Sequence, residues 1–209
     1  MNETNGTGNW AGVRKRAGNL RVPPALMRLG AQQLGRRVLD PGLTWEVQRR
    51  RLDQLTRGAV VPRGTTVTES TMNGVRAEVV TVGGARPERT VVHFHGGGYC
   101  VGSARTARAW AAHLSARAGC RVVLPEYRLA PEHPYPAALE DARAVMKALL
   151  RDVTPASVVV SGDSAGGVDV TYTRWPRMWH DFALQPGLLA AADSALAQAA
   201  WFVQTVTGA

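Results

Sequence analysis

Cysteine is nearly absent from this chain of 209 residues, with Cys100 and Cys120 the two present. A pair without metal-ligand spacing excludes a disulfide scaffold or a zinc knuckle, and small buried apolar side chains are expected. Lysine is as scarce: 23 of the 25 basic residues are arginine, with Lys15 and Lys147 the exceptions. A net charge of +9 and a pI near 10.7 suggest an anionic partner such as nucleic acid. The arginines are scattered, however, apart from residues 14–16 and 49–51. They form no stripe and no nucleic-acid motif, so solvated faces are expected and no nucleic-acid partner. No apolar run is long enough to span a bilayer. The first twenty residues lack the apolar stretch of a secretory leader, and a cytoplasmic location is expected. No repeat or low-complexity tract appears, and neither a metal nor a cofactor is implied.

What is present is an ordinary globular composition, 45% apolar and 20% charged. It suffices for one core, with little left for a second. Residues 1–20 are polar and Gly-rich and read as a disordered terminus. Residues 23–39 predict a helix, with Leu26, Leu29, Leu34 and Val38 at helical spacing after Pro23-Pro24. A second helix is expected over 44–57, with Trp45, Val47, Leu52 and Leu55 as its apolar members. The period then changes. Asn73-Gly74 between residues 65–71 and 75–82 signals a hairpin. Residues 90–95, 121–124 and 157–161 read as buried strands. Between them lie a helix from Ser103 to Ala118 and one opening at Pro136. The first has Ala107, Trp110, Ala111 and Leu114 inside; the second has Leu139, Ala142, Val145, Met146, Leu149 and Leu150. A last helix is expected over 187–203, with Leu189, Ala192, Leu196, Ala199 and Phe202 at core spacing. Strands alternating with helices predict an α/β fold, a mostly parallel sheet covered on both faces.

Two segments carry chemistry. Gly162-Asp163-Ser164-Ala165-Gly166 is a G-x-S-x-G directly after a buried strand. A sharp turn that lifts a serine above a sheet needs small neighbours, so Ser164 is a candidate nucleophile. His95-Gly96-Gly97-Gly98-Tyr99 follows the strand that ends at Phe94. Three glycines let backbone N–H groups point into a cavity, as an oxyanion hole requires. A phosphate loop is the competing reading, but no Lys-Ser/Thr follows.

With these motifs stands the run from Tyr127 to Asp141, YRLAPEHPYPAALED. Together they resemble the hormone-sensitive-lipase-like family of α/β-hydrolases, over residues 23–167. The likeness resumes from Val168, where residues 175–182 resemble the family's histidine loop, with Arg177 in place of a usual glycine. The resemblance implies an α/β-hydrolase fold and cleavage of a small-molecule carboxylic ester. It implies Ser164 as nucleophile and His180 as general base. It implies an oxyanion hole from the N–H groups of Gly97, Gly98 and Ala165, with Gly96 as a further candidate. It also implies a helical cap over 21–60 above a hydrolase domain over 61–209. Glu126 stands where the family usually has Asp; His93, His113 and His133 are expected to be structural.

The family's triad acid lies between serine and histidine, far beyond the serine. Here 15 residues separate Ser164 from His180. The comparison implies about a hundred residues lost after Gly167, the length of a helix and two strand–helix units. A parallel neighbour for the 157–161 strand needs a crossover of about a dozen residues. Residues 168–175 are therefore expected to fold back as a hairpin. The triad acid is unassigned, with Asp169 a weak candidate. The expectation is an esterase impaired by that loss; the alternative is a non-catalytic acyl-ester-binding relic of the fold.

Overall fold

The computed structural model describes residues 22–166, 182–186 and 188–207. Among these the elements run α1 (Pro24–Val38), α2 (Trp45–Thr56), β1 (Thr65–Met72), β2 (Val75–Val82), β3 (Arg86–Phe94), α3 (Ala104–Ala118), β4 (Cys120–Pro125), α4 (Ala137–Asp152), β5 (Val158–Gly162) and α5 (Ala190–Val206). Each expected element between residues 23 and 162 forms, within four residues of its expected bounds. The run 168–175, with Asp169, and the position of His180 lie outside the described residues.

The strands form one sheet in the order β1-β2-β4-β3-β5. The hairpin turns at Asn73 (φ 48°) and Gly74 (φ 86°), the pair of positive values that an Asn-Gly turn supplies. It pairs antiparallel within itself, and β2 pairs antiparallel with β4. The strands that alternate with helices pair parallel, β3 with β4 and β3 with β5. The sheet is thus mixed, and its parallel side carries the motifs.

Both faces of the parallel strands are dry, and the pleat divides them. Val91 and Val122 pack with α3 and α5, around Leu114, Leu196 and Val203. Val92 and Val123 pack on the other side against Val145 and Leu149 of α4. The four valines are fully buried, as period-two alternation between two covered faces requires. Alanines at 104, 107, 111, 112 and 118 let α3 approach closely, and Gly119 (φ 64°) ends it.

The N-terminal helices depart from expectation. In α1 the inward stripe is Met27, Ala31, Gly35 and Val38. Leu26, Leu29 and Leu34 are 61%, 55% and 40% exposed. In α2, Trp45 and Leu55 are exposed, whereas Gln48 is buried and donates to the carbonyls of Asp40 and Leu43. Helical spacing identifies residues that share a face. Which face turns inward depends on what the helix meets, and α2 meets carbonyl-rich loops.

Candidate active site

The site lies where β3 and β5 end at their carboxyl edge, the usual location in sheets of this kind. After Gly162 the chain bends sharply. Ser164 takes φ 49°, a left-handed value that a residue with a side chain rarely adopts. Gly166 closes the bend with its N–H on the Asp163 carbonyl at 2.8 Å. A Cβ on Gly166 would stand 2.1 Å from the Phe94 carbonyl oxygen, so only glycine lets the turn lie against β3. Ser164 is left exposed at the tip.

The glycine loop leaves β3 and abuts this turn. A Cβ on Gly96 would meet the Ser164 Cβ at 2.9 Å, which puts the loop backbone beside the serine. Gly97 adopts φ 122°, and a Cβ there would strike the Val101 carbonyl at 2.1 Å. The Gly97 carbonyl accepts from the N–H groups of Cys100 and Val101, at 3.1 and 3.0 Å, and fixes the loop as a tight turn. Among the described residues, the N–H groups of Gly97 and Gly98 have no acceptor. The N–H of Gly96 does: it donates to Asp163 Oδ1 at 2.8 Å. Gly96 therefore leaves the expected set of oxyanion donors and serves instead to join loop and turn.

A buried layer supports both. His95 is 2% exposed and stacks on Tyr127 with ring centroids 4.3 Å apart. Its Nδ1 lies 2.8 Å from the Gly96 carbonyl, so that nitrogen carries the hydrogen. The Tyr127 hydroxyl donates to the His95 carbonyl. Among the described residues the His95 Nε2 is buried without a partner, and burial lowers the pKa to about 4. This imidazole is neutral at ordinary pH. Asp163 is held by His93, whose Nε2 lies 3.1 Å from Oδ1. Burial opposes ionisation of Asp163, but the hydrogen bonds from His93 and from the Gly96 N–H outweigh it and hold the carboxyl below its usual range.

A third layer reaches the loop from α2. Arg49 donates from Nε to the Cys100 carbonyl and from Nη2 to the Ala130 carbonyl, each at 2.7 Å, and pairs with both oxygens of Glu132. Sequence reasoning left Arg49 in a solvated arginine run, and no local signal marks it out. Arg128 donates from Nε to both oxygens of Asp141 and so ties the 127–141 run to α4. Glu126 accepts the Ala104 N–H at the start of α3, and burial raises its pKa.

Ser164, Gly97, Gly98 and Ala165 thus meet at one edge, while the expected base His180 and the weak acid candidate Asp169 lie outside the described residues. An open, polar cavity of about 410 Å³, lined by Asp53, Glu69, Arg76, Glu78, Ser103 and Glu126 among others, includes none of these site residues. Among the described residues, no cluster of His, Cys, Asp or Glu is arranged to hold a metal, and no helix is long and apolar enough to cross a membrane.

Residues 91–168 match a protein family described as having the alpha/beta hydrolase fold. LipR of Mycobacterium tuberculosis, which carries an acetyl-hydrolase name, is 43% identical over 117 residues, 56% of this chain and 38% of that protein. An esterase of Acinetobacter venetianus is 38% identical over 118 residues, 55% of this chain and 38% of that protein. The crystal structure of an esterase from the bacterial hormone-sensitive lipase family superposes with a TM-score of 0.63 at 35% identity, over 70% of this chain and 50% of that one. The chain thus spans about two-fifths of these curated relatives and half of that structure.

Proposed function

We propose, for a chain that carries the oxyanion-loop and serine-turn portion of a hormone-sensitive-lipase-like α/β-hydrolase, that it cleaves carboxylic esters through an acyl-enzyme on Ser164. The observation that carries this reading is the approach of the glycine loop to the serine, close enough that a methyl on Gly96 would strike the Ser164 Cβ. The Ser164 Oγ attacks the ester carbonyl. The tetrahedral oxyanion is held by the unengaged N–H groups of Gly97 and Gly98, with Ala165 N–H as third donor. His180 takes the serine proton and returns it to the leaving alcohol; water then releases the acid by the reverse path. Residues 21–60 serve as a cap over the acyl pocket, fastened to the glycine loop through Arg49.

The same proposal includes impairment. With no acid assigned behind His180, its tautomer is unfixed, a loss worth about four orders of magnitude in turnover. The test uses the purified chain with a fluorophosphonate and a short-chain p-nitrophenyl ester. Labelling at Ser164 with slow, Ser164-dependent turnover is expected. Ester hydrolysis that persists in Ser164→Ala sinks the nucleophile assignment. Turnover within about tenfold of an intact esterase would mean a working acid, Asp169 first among candidates, and would remove the impairment. Saturable ester binding without acylation would favour the non-catalytic relic.

A further inference from the structure

His93 lies on β3 two residues before the glycine loop and takes no part in the mechanism above. Its register partner on β5 is Ser161. The imidazole Nδ1 lies 2.9 Å from Ser161 Oγ, and Nε2 lies 3.1 Å from Asp163 Oδ1. Strand period brings these together: residues 161 and 163 share one side of the chain, and 93 faces them across the pairing.

Ser161, His93 and Asp163 have the composition of a catalytic triad. Solvent access argues against that use. His93 is 2% exposed, and Trp110 of α3 covers its ring at a centroid distance of 4.2 Å. An imidazole walled in this way cannot exchange its proton with a substrate.

The bonding pattern points elsewhere. An ionised carboxylate can only accept, so His93 Nε2 carries the hydrogen and Nδ1 accepts from Ser161 O–H. Asp163 Oδ1 then receives two donors, His93 Nε2–H and Gly96 N–H at 2.8 Å. One oxygen ties β3, β5, the serine turn and the glycine loop at one point.

We propose that His93 is a positioning residue for the oxyanion hole: it holds the Asp163 carboxylate in the orientation that captures Gly96 N–H, and so sets the distance of the Gly97 and Gly98 amides from Ser164. The proposal rests on the Ser164 reading for its catalytic consequence, but not for its structural one. Without His93, Asp163 is free to turn about its side-chain bonds, and Gly96 loses a charge-assisted acceptor. The two free amides then drift relative to the serine, and misplacement by about 1 Å costs up to about a hundredfold in rate.

The experiment compares the full wild-type chain, His93→Phe, His93→Gln and Asp163→Ala. One readout is the Gly96 amide resonance in ¹⁵N-labelled protein. The other is the rate of Ser164 labelling by a fluorophosphonate. His93→Phe keeps a ring against Trp110 and removes both nitrogens. It is expected to move the Gly96 amide proton upfield and slow labelling about tenfold or more. His93→Gln, which restores a donor to Asp163, is expected to recover most of both. A folded His93→Phe chain with the Gly96 resonance in place overturns the proposal, as does a moved resonance with an unchanged labelling rate. If the wild-type chain does not label at all, the esterase reading fails, and the Gly96 resonance still decides the clamp. If His93→Phe does not fold, Asp163→Ala, which removes the accepting oxygen, carries the test: a stationary Gly96 resonance there refutes the shared carboxylate.

Discussion

An added methyl group separates two regions of this molecule. At Gly166, in the serine turn, a Cβ would lie 2.1 Å from one backbone oxygen and 2.7 Å from another. At Gly30, in the middle of α1, it would meet nothing within 4 Å among the described residues. Both glycines sit among residues that looked apolar and ordered in the sequence. The first holds a fixed approach between turn and strand. The second only loosens a helix whose leucines face outward. The parallel edge of the sheet is over-determined by its packing, whereas α1 is held by one narrow stripe. Measurements of stability can break that contrast or sharpen it.

The largest effect belongs to Gly166→Ala. The clash is with the backbone of β3 and not with a side chain that could swing away. Either the serine turn or the end of β3 must move. A loss of about 3 kcal/mol or more is expected in denaturant melts, together with loss of Ser164 labelling. A variant that melts with the wild type would mean that the turn does not pack on the strand as described.

Next comes acid. His95 is neutral in the folded chain, with a pKa near 4 against about 6.5 unfolded. A lowered folded value means that the unfolded chain binds the proton first as pH falls. The stability of the buried neutral ring is therefore complete above pH 6.5 and is lost progressively down to about pH 4. The span is on the order of 3 kcal/mol. Asp163, held below its usual range, adds loss in the same direction at lower pH. Thermal melts from pH 7 to pH 4 check this, and His95→Gln should flatten the upper part of the slope. A wild-type profile already flat between pH 6.5 and 4 would remove the buried-ring account.

Legibility followed the same division. The α/β architecture and the serine and glycine-loop motifs were readable because each rests on local sequence: a two-residue period, an Asn-Gly turn, a G-x-S-x-G after a valine strand. The mixed sheet was implicit in the hairpin. What sequence could not give was contact between distant residues. Gly96 looked like a further oxyanion donor beside Gly97, Gly98 and Ala165 until Asp163, 67 positions on, was found to hold its N–H. Arg49 looked like one arginine in a run of three until its fork met carbonyls 51 and 81 positions away. In α1 the error was of another kind. Leu26, Leu29 and Leu34 do share a face, but the stripe of Met27, Ala31, Gly35 and Val38 is the one that meets the body.

Arg49 sits between the two regions, and its removal tests whether they communicate. Arg49→Ala leaves the Cys100 and Ala130 carbonyls without their charged donor, at an expected cost of about 2 kcal/mol. Lysine in its place reaches one carbonyl but not both, and should recover about half. If the cap is fastened through this side chain, limited proteolysis should cut first between α2 and β1 in the alanine variant and not in the wild type.

The smallest effect has the opposite sign. Gly30 is exposed, lies in the interior of α1, and has open space where a Cβ would go. Helical backbone angles suit alanine better than glycine, because glycine gives up more conformational freedom when it is fixed. Gly30→Ala should therefore raise stability, by about 0.5–1 kcal/mol if α1 unfolds together with the sheet. If α1 instead frays before the rest, the gain will be missing from the global melt and present as slower amide exchange within α1 alone. Either result ranks the helix against the sheet. A loss of stability would mean that the outer face of α1 is covered after all, and would reverse the contrast with Gly166.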